Sequence, residues 1–259
     1  MRTKLIIGNW KMYGGLEQNA LLLNAVREGA EGLGTASAVC VPFPYLAQAQ
    51  SLLQGGPVAW GAQNLSPHAS GAYTGEISAA MLVDYACTFV LVGHSERRTL
   101  FGEDDALVAA KFVAAERAAL TPVLCVGESL AEREAGITEQ IVGRQLDAVL
   151  ATAGVETLRR AVVAYEPVWA IGTGKNATPE QVDAVHRYIR RLIAERDAGI
   201  AQQLCILYGG SVKAVNAAEL LALPDVDGAL VGGASLIAKE FMAICGAAAK
   251  FDASGAAGS

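Results

Sequence analysis

Short apolar runs alternate with longer amphipathic stretches along the whole chain. Eight of the runs read as strands: Leu5–Trp10, Ala38–Pro42, Val58–Ala62, Phe89–Gly93, Pro122–Val126, Val162–Glu166, Leu204–Tyr208 and Gly228–Val231. They are rich in Val, Ile, Leu and Cys and show no polar alternation, the pattern of parallel strands buried on both faces. The clearest helix between them is Pro179–Glu195. Val182, Val185, Ile189, Leu192 and Ile193 fall on one of its faces, Thr178 and Gln181 are spaced as a capping box, and Pro179 suits the first turn. Eight strand–helix units in a row predict an α/β fold, a closed (β/α)8 barrel forming a single domain over residues 1–250. An open doubly wound sheet would place a Gly-rich turn after the first strand, where this chain has Asn9-Trp10-Lys11. The small, polar residues 251–259 are expected to be a disordered tail.

Composition changes this picture little. A length of 259 residues suits one such barrel of roughly 250. Charged residues are only 18%, against about 25% in a typical soluble domain, which raises the question of a membrane protein. The apolar runs of roughly ten residues fall short of the about 20 that a spanning helix needs. The N-terminus has too short an apolar core for a signal peptide. A cytoplasmic protein with no membrane contact is expected. The net charge of −6 argues against nucleic acid as a partner, and it requires any anionic ligand to meet a few locally placed positive groups. Five widely spaced cysteines read as reduced, buried thiols. Between Gly32 and Gly75 the chain has no Asp, Glu, Lys or Arg. That is either two buried strands with short loops or, around Gln63–Gly75, a surface covered by another subunit.

In such barrels, residues just past the carboxyl ends of the strands line the site. Reading only those positions gives Asn9 and Lys11, Gln63 and Asn64, His94 to Glu96, Glu128, Glu166, Tyr208 to Ser211, and Gly232-Gly233. Glycine pairs after the last two strands, YGGSVK and VGGASL, allow backbone N–H groups to approach an anion, so a phosphate site is expected. His94 is either a core histidine bonded to backbone or a neutral donor to a carbonyl. Glu166 precedes Pro167, which favours extended geometry. The apolar loop that follows, Pro167–Lys175, looks like a lid, and with no second or third carboxylate at metal-like spacing Glu166 is favoured as a metal-free base. Lys11 could be a Schiff-base nucleophile, but a fixed positive charge is the simpler role. His68 and His186 read as structural or exposed.

The segments GNWKM (Gly8–Met12), VGHSERR (Val92–Arg98), AYEPVWAIGTGK (Ala164–Lys175) and YGGSVK (Tyr208–Lys213) resemble the signatures of the triosephosphate isomerases, TIM-barrel enzymes, in order and spacing from about Arg2 to Lys250. The resemblance implies interconversion of dihydroxyacetone phosphate and glyceraldehyde 3-phosphate without cofactor or metal. Glu166 would be the base, His94 the neutral proton shuttle, and Lys11 and Asn9 would stabilise the oxyanion, with Glu96 orienting Lys11. Backbone at Gly172, Ser211, Gly232 and Gly233 would hold phosphate. A lid of Pro167, Trp169, Ile171, Gly172, Thr173, Gly174 and Lys175 would close and be pinned by Tyr208 near Ala177. The resemblance also implies a homodimer, with Tyr13, Gln63, Asn64 and Thr74 at the interface. Tyr13 stands where such proteins often have Asn. The alternatives are another phosphate-binding barrel enzyme, such as a sugar-phosphate epimerase or aldolase, and a non-catalytic binding protein on the same fold.

Overall fold

The computed structural model describes residues 2–172 and 176–256. Eight parallel strands follow in chain order: β1 (Leu5–Asn9), β2 (Ala36–Cys40), β3 (Val58–Ala62), β4 (Phe89–Val92), β5 (Thr121–Val126), β6 (Val162–Tyr165), β7 (Cys205–Tyr208) and β8 (Gly228–Val231). β1 pairs with both β2 and β8, which closes the barrel. The predicted (β/α)8 architecture is therefore present, with strand bounds shifted by two residues at most.

The outer layer comprises α1 (Leu16–Ala30), α2 (Leu46–Leu53), α3 (Ala79–Asp84), α4 (Ser95–Phe101), α5 (Asp105–Arg117) and α6 (Leu130–Glu134). It continues with α7 (Thr138–Ala153), α8 (Pro179–Ala194), α9 (Ala198–Gln203), α10 (Ala214–Leu221) and α11 (Ala238–Ala256). None of the described helices is long and apolar enough to cross a membrane. Composition puts the domain boundary at Lys250, whereas α11 carries helical backbone on to Ala256. Extending a formed helix costs far less than starting one. The last three positions, 257–259, lie outside the described residues.

The absence of polar alternation in the strands has a direct cause. Ile6, Val39, Val90, Leu124, Val163 and Ile206 pack outward against the helices. Their neighbours Ile7, Cys40, Leu91, Cys125, Ala164 and Leu207 fill the barrel interior. Both faces are dry, so truncating one of the large residues to Ala costs about 2–5 kcal/mol. The α8 capping box forms as expected. The Thr178 hydroxyl accepts the Gln181 N–H at 3.3 Å, and the Gln181 side-chain carboxamide oxygen accepts the Thr178 N–H at 3.0 Å. Its apolar face is buried.

At the amino ends of the strands, Asp227 accepts bonds from Arg2 Nε at 2.6 Å, Arg190 Nη2 at 2.6 Å and the Ile206 N–H at 2.9 Å. His186 is buried beside this network, its Nδ1 3.0 Å from the Asp225 carbonyl oxygen. Burial pushes its imidazole down to about 4. All five thiols are free and all but Cys205 are buried.

Candidate active site

At the opposite end, the strand termini open into a cavity of about 410 Å³. Asn9, Lys11, His94, Glu166, Ser211 and Gly233 are among the residues that line it. Positions scattered from one end of the chain to the other thus meet on one rim, because parallel strands all point their carboxyl ends the same way.

Glu166 follows the last residue of β6 and extends the strand, its N–H donating to the Val126 carbonyl at 2.7 Å. Its carboxylate is almost wholly buried, at 2% exposure. One oxygen accepts the Ser95 N–H at 2.9 Å and the other lies 2.9 Å from His94 Nε2. Burial alone would raise the carboxyl pKa. The His94 contact and the Ser95 N–H outweigh it and hold Glu166 below its ordinary value.

His94 sits at the N-cap of α4 and its Nδ1 accepts the Glu96 N–H at 3.2 Å. An imidazolium has no acceptor to offer, so this contact fixes the neutral ring with its proton on Nε2, which donates to Glu166. Burial pushes the His94 pKa down, but the Glu166 carboxylate outweighs it and leaves it raised while the two are in contact.

Lys11 is one of three non-glycine residues with positive φ among the described residues, at +52°. This left-handed conformation is uncommon for a side chain of its size. The Asn9 carboxamide oxygen accepts the Lys11 N–H at 2.9 Å and stabilises the turn. The Lys11 ammonium then reaches Glu96 at 2.5 Å.

The two glycine pairs differ. A Cβ at Gly209 would lie 2.8 Å from Glu166 Cγ, and one at Gly210 would collide with the Tyr208 ring. That pair makes room for the protein's own groups. A Cβ at Gly233 would meet nothing within 4 Å and one at Gly232 only Lys11, so the second pair presents bare backbone to the cavity.

Pro167 begins the loop after β6, and Val168–Ala170 form a single 3-10 turn. The Val168 N–H donates to the Glu128 carbonyl at 3.1 Å, and the Trp169 indole N–H donates to a Glu128 carboxylate oxygen at 2.9 Å. Ile171 and Gly172 line the cavity. Thr173, Gly174 and Lys175 lie outside the described residues. Beyond them the Ala177 N–H donates to the Tyr208 hydroxyl, although burial dominates and pushes that phenol up to about 12.

The triosephosphate isomerase family model matches residues 4–248. The triosephosphate isomerase of Thiobacillus denitrificans is 66% identical over 250 residues, covering 96% of this chain and all of that protein. The triosephosphate isomerase of Nitrosococcus oceani is 61% identical over 249 residues, again with 96% and full coverage. That of Nitrosomonas eutropha is 59% identical over 248 residues, covering 95% and 98%.

The chain belongs to the triosephosphate isomerase family.

Two residues of this triosephosphate isomerase family member have roles that its sequence does not show. The sequence places Glu128 on the rim without a role. It is fully buried and receives Tyr165 at 3.1 Å, Arg133 at 3.1 Å and Trp169 on one carboxylate oxygen. It is the anchor of the loop that follows the base. Its position just past β5 was legible, but its partners come from three other segments. Ser95 entered only as a neighbour of His94, yet it is its backbone that holds the base.

The four residues expected at a subunit interface divide in two. Gln63 donates to the Lys11 and Cys40 carbonyls at 2.9 and 3.0 Å, and Asn64 accepts from Lys111 at 2.7 Å, so both are engaged within the chain. Tyr13 and Thr74 are exposed. A second cavity of about 290 Å³, lined by Met12, Phe43, Gln63 and Phe101 among others, adjoins the first through Lys11 and His94.

Proposed function

We propose that this protein interconverts dihydroxyacetone phosphate and D-glyceraldehyde 3-phosphate through an enediolate, in keeping with relatives named triosephosphate isomerase. The observation that carries the reading is the buried Glu166–His94 contact of 2.9 Å in the wall of a cavity that glycine backbone also lines. Substrate entering there displaces Glu166 from His94 and Ser95. Without those two contacts burial weighs more heavily on the carboxylate and makes it a stronger base than it is at rest.

Glu166 takes a proton from the carbon beside the carbonyl, and the electron pair moves onto the carbonyl oxygen. The His94 Nε2–H donates to that oxygen and later passes protons between the two oxygens of the enediolate. Glu166 returns its proton to the neighbouring carbon. Lys11, oriented by Glu96, and Asn9 stabilise the developing negative charge. The N–H groups of Gly172, Ser211, Gly232 and Gly233 hold the phosphate. The loop that begins at Pro167 closes over them and excludes water, with Tyr208 holding the Ala177 N–H beyond it. The chemistry needs no cofactor. The Lys11–Glu96 ion pair favours a fixed cation over a Schiff-base nucleophile. A coupled assay with glyceraldehyde 3-phosphate tests the reading. No turnover would exclude it, and borohydride capture of Lys11 would transfer it to the aldolases.

The charge-free segment and the apolar side chains exposed around the second cavity, Met12, Tyr13 and Phe101, support a homodimer in which a partner's 63–76 loop, with Thr74, fills that cavity. A monomer by light scattering at micromolar concentration would remove this part. Free, mostly buried thiols fit a reducing, cytoplasmic setting.

A further inference from the structure

Among the described residues, the cations lining the first cavity are Lys11 and Lys213. They are placed very differently. Lys11 is only 22% exposed and its charge is engaged by Glu96 at 2.5 Å. Lys213 is exposed and its ammonium makes no ion pair among the described residues. Its backbone is nevertheless fixed. The Lys213 N–H donates to the Asn216 carboxamide oxygen at 2.8 Å, and the Asn216 amide donates to the Ser211 carbonyl at 3.1 Å. The side chain therefore rises from a rigid turn on the Ser211 side of the mouth, beside the bare backbone of Gly232 and Gly233. One acid stands close to this turn, since Glu240 accepts the Ala214 N–H at 3.3 Å.

The whole protein carries a net charge of −6, so its long-range field repels an anion. Entry of a doubly charged phosphate ester needs a local field of the other sign at the mouth. Lys11 supplies little of it from behind Glu96. We infer that Lys213 is the residue that attracts the phosphate end of the ligand to the pocket and orients it toward Ser211, Gly232 and Gly233. This rests on the phosphate-gripping part of the proposed function. The role is long-range and exposed, so salt weakens it: the screening length falls from about 30 Å at 10 mM ionic strength to about 8 Å at 150 mM.

The test compares Lys213→Gln and Lys213→Arg with the parent protein, with glyceraldehyde 3-phosphate turnover and inorganic phosphate calorimetry as readouts. At about 10 mM ionic strength, Lys213→Gln is expected to lower kcat/KM about threefold to tenfold, with kcat within about twofold of the parent. Phosphate affinity should fall by a similar factor. The gap should close as salt rises, Lys213→Arg should match the parent, and turnover of phosphate-free glyceraldehyde should not change. Unchanged kcat/KM and phosphate affinity at low salt overturn the inference. So does a deficit that persists in high salt or is shared by Lys213→Arg, since either marks a structural role. If the parent fails to turn over the triose phosphate, the functional reading falls, and phosphate calorimetry still decides the role of Lys213.

Discussion

The two ends of the barrel each bury a carboxylate at the same 2% exposure, and each has a buried histidine nearby. Asp227, at the amino ends, is held by two guanidinium groups and a backbone N–H. Glu166, at the carboxyl ends, is held by one neutral imidazole and a backbone N–H. Ionic partners from Arg2 and Arg190 tie distant segments together and give Asp227 no reason to move. Neutral partners stabilise Glu166 enough to keep it ionised at rest, but a ligand can replace them. The histidines divide the same way. Burial pushes His186 down to about 4 against the pull of its carbonyl partner, while at His94 the base it serves outweighs burial and raises it. Burial alone therefore does not mark a functional group. The charge of its partners does.

The strongest way to break this comparison is to neutralise each carboxylate in turn. Glu166→Gln should lower kcat by about 10²–10⁴-fold while phosphate still binds and the fold persists. Turnover near the parent level would refute the base assignment. Asp227→Asn should instead cost about 3 kcal/mol of stability, because two part-buried guanidinium groups are left with Asp225 as their one carboxylate partner. Denaturant unfolding measures it, and the turnover of the molecules that remain folded should be that of the parent. A large loss of kcat with unchanged stability would show that the two ends are not separable.

Acid unfolding sharpens the comparison further. For His186 the folded value, about 4, lies below the ordinary 6.5. The unfolded chain then binds the extra proton first, and stability falls as pH drops from 6.5 to about 4. The expected loss is about 3 kcal/mol. Glu166 is also lowered, but from 4.5, so its contribution is present above pH 4.5 and is lost only as pH falls further. His94 is raised, and its contribution, present below 6.5, fades as pH rises. Subtracting the stability of a His186→Gln variant from that of the parent at each pH isolates the first window. Parallel curves between pH 6.5 and 4 would contradict it. The smallest effect is expected of Gly209→Ala. Its new Cβ must displace the Glu166 side chain by a few tenths of an ångström, lowering kcat about tenfold with little change in Tm. Parent-like kinetics would mean that the base has room to spare.

The barrel was legible because both strand faces are apolar, leaving uninterrupted runs such as Leu204–Tyr208 at regular intervals. The rim was legible because each run ends in a chemically distinct residue. What stayed hidden depends on distances across the chain. No local pattern shows that Lys11 takes a positive φ, that the Ser95 backbone holds the base, or that Glu128 collects Arg133, Tyr165 and Trp169. The Gly209-Gly210 pair, expected as an approach for phosphate, lines the cavity, and its glycines also clear space for Glu166 and Tyr208. A missing side chain looks the same in sequence whether a ligand or a neighbour fills the gap.

That crowding bears on redesign of the pocket. Gly209 is pressed against the Glu166 side chain, and a Cβ at Gly127 would run into the Glu166 backbone carbonyl. The base is thus wedged between two positions where any side chain presses on Glu166, against its backbone at 127 and its side chain at 209. A library built to enlarge the cavity for a longer substrate gains nothing by randomising codons 127 and 209. Its useful diversity lies elsewhere in the cavity lining, away from the side chain and backbone of Glu166.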